Sequence, residues 1–169
     1  MNLSKNLKNK ILTKEVTTSL IIVICTFFLD RFSKISVIKQ QINNNGAYFV
    51  NNYLNFDLVW NTGIGFGFFS QNAGIYYQVT SFLIFLVIVY LSYLIVKSNY
   101  FDKMLFSLIL GGALGNFYDR LFYLAVPDFI DIHINNFHWF TFNIADIFIT
   151  VGVIFLIVKD LIIKKNENY

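Results

Sequence analysis

A long uncharged segment is the feature that most limits how this chain can fold. From Ile75 to Val96 it contains no aspartate, glutamate, lysine or arginine. A helix needs about 20 mostly apolar residues to cross a bilayer, so this segment predicts a membrane-spanning helix. The composition agrees, because 14% of the residues are charged and the mean hydropathy is +0.58, whereas soluble domains have roughly 25% charged residues.

Three further apolar stretches predict three more spans. The first contains Asp30, Arg31 and Lys34 in its last third, the third is uncharged until Asp119, and the fourth has Asp146 at its start. We therefore predict an all-α membrane protein that forms one integral membrane domain over residues 1–169. Its four transmembrane helices are expected at about 16–38, 75–96, 104–124 and 145–163.

The segments between the spans are not simple loops. Apolar residues partly alternate with polar ones from Ala47 to Trp60 and again from Ile130 to Ile134, where Asn135 and Asn136 then provide a turn. Alternation around a short turn is typical of a β-hairpin. We expect a small extracytoplasmic β-lobe with a short outer-face loop or helix, built from the outer segments at about 43–74 and 128–143.

The basic residues predict the orientation. Lysine and arginine are enriched in cytoplasmic loops, and four spans place both termini on one side. Nine of the 13 basic residues lie before the first span, between the second and third, or after the fourth: Lys5, Lys8, Lys10, Lys14, Lys97, Lys103, Lys159, Lys164 and Lys165. Both termini are therefore expected in the cytoplasm.

The acidic residues show the opposite bias. Six of the ten lie toward the outer ends of spans or in outer segments: Asp30, Asp57, Asp119, Asp128, Asp131 and Asp146. Three separate helices thus bring carboxylates to one depth. Ionisable residues inside a membrane are energetically costly and are functional candidates.

The third span combines small and polar residues. Gly111 and Gly115 form a small-xxx-small pattern that lets helices approach closely. Asn116 shares a helix face with Asp119 and Arg120, because residues three and four apart are neighbours on a helix. Asparagine and arginine on this face can hydrogen-bond and orient nearby carboxylates.

The fourth span opens with a second pair of polar residues. Asn143 and Asp146 repeat the spacing of three residues, and Asn143 is also a candidate helix N-cap. Pro127 is expected to end the third helix or turn the chain. That would place Asp128 just outside the helix, close to where Asp146 begins the next one.

Two facing carboxyl groups that share one proton form the catalytic pair of an aspartic protease. One activates a water, and the other polarises the scissile carbonyl. The residues alone leave open which two of Asp30, Asp119, Asp128 and Asp146 form the pair. With two histidines and one cysteine, Cys25, no metal or cofactor is expected.

A glycine-rich segment, Asn61 to Phe69, precedes the second span. One interpretation is a plain turn. The other is that it brings backbone groups and the Asn61 amide against an extended substrate. No phosphate-loop lysine follows the glycines, so nucleotide binding is not expected, and the net charge of +3 is too small to indicate nucleic-acid binding.

In this order, these blocks resemble the lipoprotein signal peptidase family, also called signal peptidase II. The resemblance covers about residues 16–163. The matching segments are Asp30-Arg31-Phe32-Ser33-Lys34, Asn61-Thr62-Gly63 with Phe66-Gly67, Gly111 to Arg120, Asp128-Phe129-Ile130-Asp131, and Phe142-Asn143-Ile144-Ala145-Asp146.

The resemblance implies an aspartic endopeptidase of the bacterial cytoplasmic membrane with its active site at the outer face. Its partners would be membrane lipid and diacylglyceryl-modified prolipoproteins, cleaved just before the lipidated cysteine, and we expect a monomer. The resemblance implies Asp128 and Asp146 as the catalytic pair. Asp30 and Asp119 would be structural or orienting residues, paired with Lys34 and Arg120. Supporting residues would be Asn61, Gly63, Asn116, Arg120 and Asn143.

The sequence departs from the family pattern at a few positions. Ser33 stands where threonine is common, and Ile64 and Gly65 replace small alanine-like residues. Pro127 stands where a second valine is usual, and it can alter the angle of Asp128.

Two other functions remain as alternatives. A small transporter or channel subunit would use the aspartates as a proton or cation path, but it would favour acids at mid-membrane depth. A non-enzymatic membrane assembly factor would use the aspartates only to bond helices together. For that factor, Asp128→Asn and Asp146→Asn would leave function intact.

Overall fold

A computed structural model describes residues 2–44, 47–63, 74–135 and 137–167. Within these residues the chain forms four helices and one small antiparallel sheet, in agreement with the predicted combination of helices and a β-lobe. The elements in chain order are α1 (Asn2–Asn44), β1 (Tyr48–Asn51), β2 (Leu54–Asn61), α2 (Ile75–Lys97), α3 (Tyr100–Phe122), β3 (Val126–Ile134), β4 (Phe137–Phe142) and α4 (Ile144–Glu167).

The third helix, α3, is the centre of the helical part and packs against each of the other three helices. Ile88 and Leu91 of α2 form an apolar core with Ile109, Leu110 and Ala113 of α3. Because one helix contacts all the others, a polar face on α3 can meet side chains from α1 and α4 at once.

The two glycines of the predicted close-approach pattern lie where α3 meets α1. A Cβ added at Gly111 would lie 1.6 Å from Thr26 Oγ1, and one added at Gly115 would lie 2.5 Å from Asp30 Oδ2. Both distances are shorter than real carbon contacts allow. The prediction that these glycines let helices approach closely is therefore confirmed, and Gly115 makes room for a carboxylate.

The second helix leaves most of its apolar surface uncovered. Tyr77–Lys97 is, among the described helices, the one that is long and apolar enough to cross a membrane. Phe82, Leu83, Val87 and Tyr90 are exposed on it. Large exposed apolar surfaces mark contact with a partner or a membrane, and such contact is what the uncharged segment predicts.

The sheet has the strand order β1-β2-β3-β4, with antiparallel neighbours. The predicted hairpin is formed by β3 and β4, and its turn residue Asn135 has a φ of 53°, a conformation that asparagine adopts more readily than most residues. The sequence did not predict that β2 would pair with β3. That pairing joins the two outer segments into one sheet.

The sheet rests on the end of α1 and the start of α4. Val37 of α1 packs against Phe129 and Ile130 of β3, and Ile144 of α4 lies in the same cluster. The backbone N–H of Leu58 donates to Gln41 Oε1 at 2.9 Å. α1 therefore continues beyond the predicted end at residue 38 and supports β2 and β3.

The prediction that Pro127 ends or turns the third helix is wrong. α3 ends at Phe122, and the chain turns at Leu124, whose φ is 55°. Pro127 lies inside β3, opposite Trp60 of β2. β4 does not pair with β3 at this position, because their pairing starts at Ile130, and prolines within sheets are confined to such edge positions. The related prediction that Asp128 lies outside the third helix is confirmed, because Asp128 belongs to β3.

Candidate active site

Two carboxyl groups line one cavity at the junction of the sheet and the helices. Asp128 comes from β3 and Asp146 from the first turn of α4. The cavity has a volume of about 230 Å³, and its lining also includes Asn61, Asn116 and Asn143. The structure thus brings together two of the four candidate aspartates with three of the predicted supporting asparagines.

Asp128 is held by two amide groups. Asn61 Nδ2 donates to its Oδ2 at 2.9 Å, and Asn143 Nδ2 donates to its Oδ1 at 2.6 Å. The residue is 3% exposed. β2 positions Asn61 because the end of that strand pairs with the start of β3, opposite Val126. The unpredicted pairing of β2 with β3 therefore places the donor beside the carboxylate.

Asp146 is held by the start of its own helix and by α3. Its Oδ2 accepts from the backbone N–H of Asn143 at 3.2 Å, and Asn143 Oδ1 accepts from the backbone N–H of Asp146 at 3.1 Å. This reciprocal pattern is a capping box. Asn116 Nδ2 donates to Asp146 Oδ1 at 2.8 Å. Asn143 thus caps the helix with its oxygen and contacts Asp128 with its nitrogen, so both suggested roles hold.

A buried lysine determines how Asn116 is oriented. Lys34 is fully buried, and its Nζ donates to Asp30 Oδ2 at 2.8 Å, to Asp119 Oδ2 at 2.7 Å and to Asn116 Oδ1 at 2.8 Å. An ammonium group has only donors, so the amide oxygen of Asn116 must face Lys34. The amide nitrogen then faces Asp146.

The remaining two candidate aspartates lie outside this cavity and bond helices to one another. Asp30 Oδ1 accepts from the backbone N–H of Ala145 at 3.0 Å, at the start of α4. Asp119 pairs with Lys34 and with Arg31, whose Nη1 lies 2.5 Å from Asp119 Oδ1. The structure agrees with the pairing of Asp30 with Lys34, but it replaces Arg120 by Arg31 and Lys34 as the partners of Asp119.

Arg120 lines the same cavity, and its hydrogen bonds go to backbone oxygens rather than to Asp119. Its Nη1 donates to the backbone oxygen of Asn116 at 3.1 Å and its Nη2 to that of Gly63 at 3.3 Å. The backbone N–H of Gly63 donates to Asn61 Oδ1 at 2.9 Å. Arg120 therefore ties the chain after β2 to α3. Of the glycine-rich segment, residues 64–69 lie outside the described part of the chain.

Two contributing residues were not predicted from the sequence. One is Arg31, whose guanidinium also lies 4.8 Å from the centre of the Tyr118 ring. The other is Tyr77, whose hydroxyl donates to the backbone oxygen of Arg120 at 2.9 Å. The sequence could have indicated Arg31, because Arg31 is a basic residue next to Asp30 in addition to Lys34. No sequence signal points to Tyr77.

The pKa of Asp128 is raised to about 6. Burial is the largest cause, followed by the negative charge of Asp146, and both disfavour the ionised form. The amides of Asn61 and Asn143 oppose this rise because they donate to the carboxylate. At neutral pH, Asp128 is therefore much closer to holding a proton than an ordinary aspartate.

Two further surfaces border the site. An apolar groove of about 380 Å³ runs between β4 and α4 and reaches Asp146, with Trp139, Phe142 and Val151 in its lining. A more polar cavity of about 480 Å³ lies on the sheet and reaches Asp128. The apolar groove therefore leads to Asp146, and the polar cavity leads to Asp128.

Comparison with known proteins gives a consistent result. Residues 22–162 match the family described as signal peptidase (SPase) II. The chain is 41% identical over 161 residues to the lipoprotein signal peptidase of Pelagibacter ubique, covering 95% of this chain and 97% of that protein. It is 40% identical over 143 residues to the lipoprotein signal peptidase of Anaplasma phagocytophilum, covering 83% and 89% of the two chains.

The fold is also similar to a solved structure. That structure, described as a bacterial membrane enzyme determined by the in meso method at 2.3 Å resolution, superposes with a TM-score of 0.74 and 29% sequence identity. The match covers 89% of this chain and 92% of the other.

Proposed function

The chain belongs to the signal peptidase II family, and from that premise we propose that it is an aspartic endopeptidase. It removes the signal peptide from diacylglyceryl-modified prolipoproteins by cutting just before the lipidated cysteine. One observation supports the aspartic type of catalysis: Asp128 and Asp146 line the same cavity. The relatives are named as signal peptidases, which leaves the transporter alternative without support.

The surroundings of the two carboxyl groups support a different role for each in the proposed reaction. Asp146 lies at the start of α4 and accepts the backbone N–H of Asn143, and the positive end of a helix dipole favours a carboxylate. Asp146 is therefore the base. Asp128 has a pKa raised to about 6 by burial and by the charge of Asp146, so it is the acid.

The reaction then needs only water and this pair. The oxygen of a water attacks the scissile carbonyl carbon while Asp146 takes a proton from the water. Asp128 gives its proton to the carbonyl oxygen, which produces a tetrahedral intermediate. When the C–N bond breaks, the amine of the lipidated cysteine leaves with a proton from the pair.

The asparagines keep the pair in place during these steps. Asn143 touches both Asp128 and Asp146, while Asn61 and Asn116 each hold one of them. Arg120 and Gly63 secure the segment that follows Asn61. All these groups belong to one chain, so a monomer contains the whole site.

We also infer a single membrane domain with four spans and cytoplasmic termini. Two ion pairs join helices at the end of the bundle away from the carboxylates. Lys103 Nζ lies 2.8 Å from Glu15 Oε2, and Lys159 pairs with Asp102. These contacts bring together the ends that the lysine distribution assigns to the cytoplasm. The sheet and the active site then lie at the outer face.

The apolar groove supports recognition of a lipid. It lies between β4 and α4 and includes Asp146 among its lining residues. A substrate anchored by acyl chains can place one chain in this groove while its scissile bond reaches the carboxyl groups. Each buried CH₂ contributes about 0.8 kcal/mol, so the lipid would supply much of the binding free energy.

The test of this function uses two forms of one precursor. Purified protein is incubated with a diacylglyceryl-modified prolipoprotein and with the same precursor lacking the lipid, and released signal peptide is quantified by mass spectrometry. We expect cleavage of the lipidated form just before the modified cysteine and little or none of the other. Equal cleavage of both would refute lipid recognition, and cleavage of neither would refute the function.

The pH dependence tests the role of Asp128. This carboxyl acts as an acid only while protonated, so kcat/KM should fall as the pH rises through about 6. Asn61→Ala removes a donor that lowers the pKa of Asp128, so the falling limb should move to higher pH. Asn52→Ala changes an asparagine in the exposed β1–β2 turn and should leave the limb in place. A shift to lower pH would contradict the assignment.

A further inference from the structure

Three potential metal ligands meet on the sheet, beside the polar cavity that also reaches Asp128. Asp131 and His133 lie two residues apart on β3, and although the strand register shifts between them, Asp131 Oδ2 and His133 Nδ1 are 3.5 Å apart. His138 of β4 is the cross-strand partner of His133, and the centres of their two rings are 5.0 Å apart. The proposed reaction uses none of these side chains.

The donor atoms of the three side chains are close together. Asp131 Oδ2 lies 2.8 Å from His138 Nδ1 and 3.5 Å from His133 Nδ1. One ligand atom from each residue fits within 4.8 Å of the other two. In a tetrahedral zinc site with bonds of about 2.0–2.2 Å, ligand atoms are about 3.3 Å apart. The 2.8 and 3.5 Å separations from Asp131 Oδ2 lie on either side of that distance.

The burial of His133 gives an independent indication of a ligand. This residue is 8% exposed, and its Nδ1 has no hydrogen-bond partner although it points toward Asp131. Buried polar atoms are nearly always hydrogen-bonded, and each exception needs an explanation. Coordination of a cation shared with Asp131 would satisfy this nitrogen.

The cluster is also accessible. The side chain of His138 is 56% exposed, and Asp131 and His138 line the polar cavity of about 480 Å³ on the sheet. An ion can therefore enter from the solvent and keep one position for water. Imidazole and carboxylate ligands together suit zinc and similar divalent transition metals.

We propose that Asp131, His133 and His138 bind one Zn²⁺ ion that ties β3 to β4. The ion is separate from the peptidase reaction, because Asp128 and Asp146 are not its ligands. It would stabilise the hairpin whose first strand also holds Asp128. The prediction of no metal site rested on the small number of histidines, but the strand register brings both of them to one point.

Zinc binding can be measured without any substrate. Chelator-treated protein, purified without a histidine tag, is titrated with Zn²⁺ by isothermal titration calorimetry. We expect one saturable site per chain. His133→Ala and His138→Ala should each weaken binding by at least about 10-fold, because loss of even an outer partner of a metal ligand has effects of this size. Asp57→Asn removes a carboxylate that lines the same cavity but lies outside the cluster, and it should bind as the wild type does.

The side chain of His138 is more than half exposed, so His138→Ala disturbs the packing of the sheet less than His133→Ala does and is the decisive variant. Absence of saturable binding in the wild type would overturn the proposal. Equal binding by wild type and His138→Ala would also overturn it. Since the readout is heat of binding, these outcomes are independent of whether the protein cleaves prolipoproteins.

Discussion

Asp128→Asn and Asp146→Asn should each reduce cleavage of a diacylglyceryl-modified prolipoprotein by about 10²–10⁴-fold, the usual contribution of a positioned acid or base. Asparagine has nearly the same shape as aspartate, but it can neither take the proton from water nor give one to the carbonyl oxygen. The rates are compared at equal protein concentration, with released signal peptide as the product.

The matched control for these variants is Asp57→Asn. Asp57 lines the cavity on the sheet together with Asp128, yet it takes no part in the proposed reaction, so its variant should cleave at the wild-type rate. Each variant is first checked for an unchanged unfolding temperature. A folded Asp128→Asn or Asp146→Asn variant with wild-type activity would support the alternative in which the aspartates only bond helices together.

The roles of Asn143 show how much of the site was accessible to sequence reasoning. Its spacing from Asp146 and its place before an apolar run predicted a helix cap, because capping depends on residues that are adjacent in sequence. Its contact with Asp128 depends instead on where β3 ends up relative to α4. The sequence left the choice among four aspartates open, and the resemblance narrowed it to Asp128 and Asp146.

Long-range pairing is what sequence reasoning could not supply. The register of β2 with β3 places Asn61 beside Asp128, and nothing in the alternation of either strand specifies its partner. Asp119 gives a second example. Its neighbour on the helix, Arg120, was the expected partner, but α1 lies so close to α3 that Lys34 and Arg31 pair with Asp119 instead. The glycines of α3 predicted a close approach between helices, but they did not predict which side chains would pair there.

The polar groups form a continuous path from α1 to the reaction site. Lys34 links Asp30 and Asp119 and orients Asn116, which donates to Asp146. Asp30 in turn accepts from the start of α4. Asp30 and Asp119 are thus connected to Asp146 through α4 and Asn116. A change in the buried cluster should therefore affect both stability and activity.

Lys34→Met is the strongest test of that cluster. The substitution keeps most of the side-chain volume but removes the charge, so Asp30 and Asp119 lose the ammonium group that pairs with both of them in the fully buried cluster. Removing one partner of a buried ion pair costs about 3–5 kcal/mol. We expect the free energy of unfolding, measured in detergent micelles, to fall by about that amount.

Two further variants separate the charge effect from other causes. Lys39→Met changes an exposed lysine of the same helix, and such surface substitutions alter stability by about 0.5 kcal/mol or less. Adding Asp30→Asn to Lys34→Met removes the stranded charge together with the lysine and leaves Asp119 paired with Arg31. Removing both members of a buried ion pair avoids an uncompensated charge, so the double variant should regain much of the lost stability. If Lys34→Met were as stable as Lys39→Met, the buried cluster would not hold α1, α3 and α4 together, and the orientation of Asn116 toward Asp146 would need another cause.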